Sequence, residues 1–312
     1  MAAVDIRALP TPTWPAALTI LALTAGCDMT RLTARSTAGL FQRAAPAFEA
    51  HWDYELAGAA APASIMQLEG VLRVVPDDER ILVQLARAYA SYAYGWIEDR
   101  MEQCPVDDQA CQDHWATRAR WMYLRARDLA LEVLRQRDDG IDAARRAGLV
   151  AFERWLRDAY DEPEDAPALL WAGYAWGAAI AISLEDPELV ADLGLARALV
   201  RRSVELDPTY ANAAGLTFLG YAEAGLPEAL GGNPQAGREH FERALQVTGR
   251  RALLVHVNYA KAYAVAVGDR ALFEQLLREV LDAGDHGDAV RLANKVARRR
   301  AARYLAAADQ WF

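Results

Sequence analysis

Along this chain the apolar residues recur three and four positions apart, and no stretch keeps the alternation bounded by hairpin turns that a half-buried strand requires. That spacing restricts the chain to an all-α fold. Leu85, Tyr89, Tyr92 and Trp96 step in this way along one helix face, and Phe273, Leu276, Leu277 and Val280 along another. Asp186-Pro187, Asp207-Pro208 and Asn233-Pro234 each put a capping side chain before a proline suited to the first helical position. Gly225, Gly249, Gly268 and Gly284 stand where helices should stop. About a dozen helices joined by short turns are expected, stacked as antiparallel hairpins.

Internal similarity supports the stacking. E-G-V-L-R-V-V-P ending at Pro76 recurs as R-S-V-E-L-D-P ending at Pro208 and as R-A-L-Q-V-T-G ending at Gly249. Each piece reads as the last turn of a helix, with paired apolar residues followed by a breaker. The tetratricopeptide repeat ends in the same way at a period of about 34 residues, so the hairpins read as degenerate repeats of that type.

A chain that is 53% hydrophobic and 25% charged can bury a sizeable core. Its formal charge of -9 argues against nucleic acid, because phosphate binding needs clustered cations. Ala166 to Leu184 carries no charge, yet acidic residues flank it on both sides and no lysine or arginine adjoins it to orient a membrane span. A helix buried all round is the expectation, with Trp171, Tyr174 and Trp176 either lining a cavity or filling core.

Residues Ala16 to Gly26 form a short uncharged stretch that ends at Cys27. An export signal needs an apolar run of about 7–15 residues and a membrane span roughly 20, so the length suits a signal peptide. L-T-A-G-C resembles the lipobox of bacterial lipoproteins, with Cys27 as the lipid-bearing residue. The expected organisation is a lipoprotein signal peptide over 1–26, a lipidated tether over 27–40 and one helical-repeat domain over 41–312, held on the periplasmic side of a bacterial membrane. The remaining cysteines, Cys104 and Cys111, are expected to form a disulfide clipping a loop between two helices.

Chemistry-bearing motifs are absent: there is no G-x-S-x-G, no H-E-x-x-H, no phosphate-cradling glycine loop and no dinucleotide fingerprint. His51, His114, His240, His256 and His286 are scattered, with no metal-ligand spacing among them. D-A-G-D-H-G-D around His286 reads as a helix start with Asp285 as its cap. No catalytic residue, metal or cofactor is expected, and the chain does not read as an enzyme.

Four stretches bring a family into view: P-A-S-I-M-Q-L-E-G-V-L-R-V-V-P-D-D from Pro62, A-T-R-A-R-W-M-Y-L-R-A-R-D-L-A-L from Ala116, L-L-W-A-G-Y-A-W-G-A-A-I from Leu169, and L-G-Y-A-E-A-G-L-P-E-A-L-G-G-N-P from Leu219. In this order, with Gly231-Gly232 and the lipobox, they resemble the T component of the tripartite ATP-independent periplasmic (TRAP) transporters from about Phe41 to about Ala283. The resemblance implies a periplasmic lipoprotein that assembles as a homotrimer and docks a solute-binding protein. It also implies a hydrophobic cleft or pore in each protomer for passage of a small apolar or amphipathic solute. Tyr92, Tyr94, Trp96, Trp171, Tyr174 and Trp176 are the candidates to line it. The competing function is a general helical-repeat scaffold lipoprotein for envelope protein assembly, for which an open polar groove and a solid core would be expected instead.

Overall fold

The computed structural model describes the backbone of residues 14–226 and 231–312 and side chains from residue 29 onward. The fold is 81% helical, and no strand occurs among the described residues. The helices are α1 (Trp14–Glu49), α2 (Tyr54–Val74), α3 (Glu79–Tyr92), α4 (Glu98–Met101), α5 (Gln109–Arg137), α6 (Ile141–Arg146), α7 (Leu149–Ala159) and α8 (Ala166–Ala181). They continue as α9 (Pro187–Ala191), α10 (Leu193–Leu206), α11 (Tyr210–Ala224), α12 (Pro234–Val247), α13 (Leu253–Asn258), α14 (Arg270–Asp282) and α15 (Arg291–Ala306). π-Helical turns over Ala93–Ile97 and Tyr259–Ala264 join α3 to α4 and extend α13.

The starts follow from local hydrogen bonding. Asp53, Asp108, Asp186, Asn233 and Asp269 each accept a backbone N–H three residues on, at 2.9–3.1 Å. The three recurring pieces all end helices, at Val74, Leu206 and Val247. Two expected starts are corrected. Asp207 terminates α10 and its carboxylate accepts from the amide of Thr209, so α11 begins beyond the proline. Asp285 accepts from Gly287 and pairs with Arg291, closing a tight turn ahead of a short 3-10 segment where a helix start was expected.

Packing runs along the chain: α2 on α3, α3 on α5, α5 on α8, α8 on α10, α10 on α11, α11 on α12, and α14 on α15. The uncharged α8 is the centre of this stack. Twelve of its sixteen residues are buried, enclosed by α5 and α10, and no described helix is long and apolar enough to cross a membrane. Close approach demands Gly173, where an added Cβ would lie 2.6 Å from the carbonyl of Ala196 on α10.

The stack then curls back on its own beginning. Arg291 at the head of α15 donates to the carbonyl of Ala50 at 3.0 Å, and Arg303 further along pairs with Asp99 of α4 at 2.8 Å. α1 lies against α2 and α3, with Arg35 paired to Asp77, so residues 27–40 belong to a helix. Residues 1–13 and the side chains of the lipobox, Cys27 included, lie outside the described residues.

Cys104 and Cys111 are joined across the turn between α4 and α5, with Cα atoms 5.8 Å apart. Closing so short a loop should contribute about 2 kcal/mol in the chain-entropy view. We expect dithiothreitol to lower the unfolding free energy of the oxidised protein by that amount, seen as a lower urea midpoint. An unchanged midpoint, or two titratable thiols besides Cys27 in the oxidised, denatured chain, would contradict the bond.

Candidate functional site

Because the stack curls back on itself, it forms a partly open cavity of about 1200 Å³ walled by α1, α2, α3, α8, α11, α13 and α15. That exceeds the roughly 300–1,000 Å³ of ordinary small-molecule sites. Of the six aromatic candidates, Tyr92, Tyr94, Trp96, Trp171 and Tyr174 line it. Trp176 does not. It lies about 140° round α8 from Trp171, on the face turned away from the cavity, fully buried with Arg145 and Arg127 over its ring at 4.8 and 5.4 Å. The helical period separates these two tryptophans, and grouping them by proximity in sequence missed that.

On the wall formed by α8, Trp171 donates to the hydroxyl of Tyr210 at 3.1 Å, and Tyr174 leans on Phe218 with ring centroids 5.8 Å apart. Phe218 reaches α8 because residue 177 is glycine; a Cβ there would sit 2.3 Å from the ring. Tyr210 is followed by three consecutive left-handed residues, Ala211, Asn212 and Ala213, at φ 50°, 57° and 61°. Such residues cost roughly 1–2 kcal/mol each without glycine. Here they turn the chain so that Tyr210, Ala211 and Asn212 all face the cavity.

Both π-helical turns border this space, which fits the frequent placement of such turns at functional sites. The first displaces the register of α3 and brings in Tyr94 beside Tyr92 and Trp96. Its carbonyls turn outward to other partners: Gly95 accepts from the Tyr54 hydroxyl at 2.7 Å and Tyr94 from Arg300 at 2.7 Å. Trp96 is wedged on Tyr54, with centroids 5.1 Å apart, and donates to the Tyr54 carbonyl. The second turn carries Lys261, and Asn258 just before it donates to the Tyr94 hydroxyl at 3.1 Å.

One end of the cavity is strongly polar. Arg300 of α15 is buried and pairs with Glu98 at 3.3 Å and Glu102 at 3.1 Å, while its guanidinium lies 4.0 Å from the centre of the Tyr94 ring. Glu98 also accepts from Tyr123, and Glu102 from Tyr304 and Arg303. Burial pushes the Glu98 carboxyl up from its ordinary range, with Arg300 opposing the shift. Burial likewise raises the Tyr94 and Tyr174 hydroxyls, so both remain neutral donors.

No motif in the sequence singles out Arg300, Glu98 or Glu102. Arg300 sits in R-R-R-A-A-R, which reads as a solvated basic run, and Glu98 follows G-W-I with no marker of burial. The usable signal was phase: Leu292, Val296 and Arg300 share one face of α15, so an arginine continues an apolar stripe. The two C-terminal aromatics fold back onto α14 and α15. Trp311 lies edge-on to Phe273 and Tyr304 at 5.4 Å from each, and Phe312 packs on Phe273 at 5.3 Å.

Comparison with known proteins bears on this arrangement. Residues 50–312 match the family described as TRAP transporter T-component. The match starts later than Phe41 and runs on through α15, which the sequence resemblance had left out beyond Ala283. A protein of Treponema pallidum (strain Nichols), described only as uncharacterized, is 24% identical over 231 residues, 73% of this chain and 71% of its own.

Proposed function

The chain belongs to the TRAP transporter T-component family, an accessory component of these transporters, and from that premise we propose that it docks a periplasmic solute-binding protein and holds a small apolar or amphipathic ligand in the cavity. The observation that carries the ligand part is the cavity itself, about 1200 Å³ with aromatic side chains from α3, α8 and α11 on its walls. A scaffold for envelope assembly has no use for such an interior. The protein acts without catalysis, as a degenerate tetratricopeptide-like stack anchored through lipid on Cys27 at the periplasmic face of a membrane, and it assembles as a homotrimer. Exchange of ligand requires reversible contact, which favours a mixed polar interface of moderate size.

Cross-linking in the native host tests the docking. Recovery of a TRAP solute-binding protein supports the reading, and cross-links to outer-membrane assembly proteins alone would replace it with the scaffold.

A further inference from the structure

At the polar end of the cavity every arginine has a carboxylate partner: Arg300 holds Glu98 and Glu102, Arg303 holds Asp99 and Glu102, and Arg299 lies 3.4 Å from Asp99. Lys261 differs. It lines the same cavity, is partly buried, and has no carboxylate within ion-pair distance and no hydrogen-bond acceptor among the described residues. Its ammonium instead lies over two rings, 3.9 Å from the centre of Trp311 and 5.4 Å from that of Tyr304. The nearby Glu102 is already committed to Arg300, Arg303 and Tyr304. A second donor on this end is also idle, since Nε of buried Arg300 has no acceptor.

A partly buried cation without a counter-ion is disfavoured, and burial accordingly pulls the Lys261 ammonium below the usual lysine range, with Glu102 opposing. An arriving anion would offset that cost. The cavity is also lined by Arg87 paired with Glu49 and by Arg137 paired with Glu79, so those cations are already neutralised. Most of the remaining wall is apolar and aromatic, Trp171, Phe218, Phe48 and Ile65 among them, and a small inorganic anion would leave it unfilled.

We propose that the cavity takes an amphiphile with a single anionic head, a long-chain monocarboxylate, seated with its carboxylate on Lys261 and its hydrocarbon chain along the aromatic wall. This inference rests on the ligand-holding reading above and adds the charge of the ligand and the residue that recognises it. Lys261 is chosen by the fold and not by local sequence: the π-helical turn over Tyr259–Ala264 sets it inward between apolar neighbours. Trp311 and Tyr304 then fix the ammonium from behind and leave its remaining donors free.

The test is equilibrium binding of radiolabelled dodecanoate and dodecan-1-ol to the full-length chain, delipidated and placed in nanodiscs, with empty nanodiscs subtracted. The wild type should prefer dodecanoate by about tenfold or more, the scale of one charge-assisted contact. Lys261→Met should bring dodecanoate down to the level of dodecanol and leave dodecanol unchanged, whereas Lys261→Arg should keep the preference. Equal binding of acid and alcohol to the wild type, or a preference that survives Lys261→Met, overturns the head-group assignment while the apolar cavity stands. Binding of neither probe overturns the cavity reading and this inference together.

Discussion

Replacing Arg300 with methionine is expected to destabilise the protein by roughly 3–5 kcal/mol, because it strands Glu98 and Glu102 in the interior without their shared cation. The side chain is only 4% exposed, so solvent cannot take over the role of the guanidinium. Its loss also frees the Tyr94 carbonyl, which the π-helical turn presents to Arg300 in place of a regular helical partner. The variant should melt roughly 5–8 °C lower than the wild type. Adding Glu98→Gln should restore part of the loss, since burial already disfavours the charged form of Glu98. Urea unfolding of the single and double variants measures both effects, and a cost below about 1 kcal/mol for Arg300→Met would show that α15 is not held to α4 through this cluster.

The second large effect concerns location. Cys27→Ser should move the protein from the membrane fraction to the soluble fraction, because each methylene of an acyl chain contributes about 0.8 kcal/mol on entering the bilayer. No described helix is long and apolar enough to take over as a membrane span. The wild-type N-terminal peptide should carry the mass of attached acyl chains. Undiminished membrane retention of Cys27→Ser, with no lipid mass on the wild type, would remove the anchor from the account.

How much of this was readable from the sequence depends on the range of the interactions concerned. Caps such as Asn233 and Asp186 act over three residues, so their chemistry was plain in the sequence. Asp207 misled because an aspartate before proline suits a turn as well as a cap, and only the left-handed run that follows decides between them. The buried character of α8 was legible in its lack of charge. Its two faces were not separated until Arg127 and Arg145 were seen to cover Trp176.

The polar end of the cavity was hidden for a different reason. Its contacts join residues about two hundred positions apart, Arg300 with Glu98 and Arg303 with Glu102, and no local pattern announces them. Both aromatic and charged members also depend on π-helical turns, which change the register that a 3.6-residue period assumes. Tyr94 is legible as one aromatic in an aromatic-rich segment, while nothing beside Lys261 in the sequence marks the residue, which is carried by the same kind of turn.

The central claim is that a TRAP transporter T component encloses a ligand and presents it to a solute-binding partner. Native mass spectrometry of the lipidated protein released gently from its own host's membrane tests this most directly, since stoichiometry, partner and retained ligand appear in one spectrum. The account predicts a homotrimer bearing acyl chains on Cys27, a population bound to a solute-binding protein, and additional mass from an amphiphile held by non-covalent contact. A monomer with neither partner nor retained ligand would contradict it.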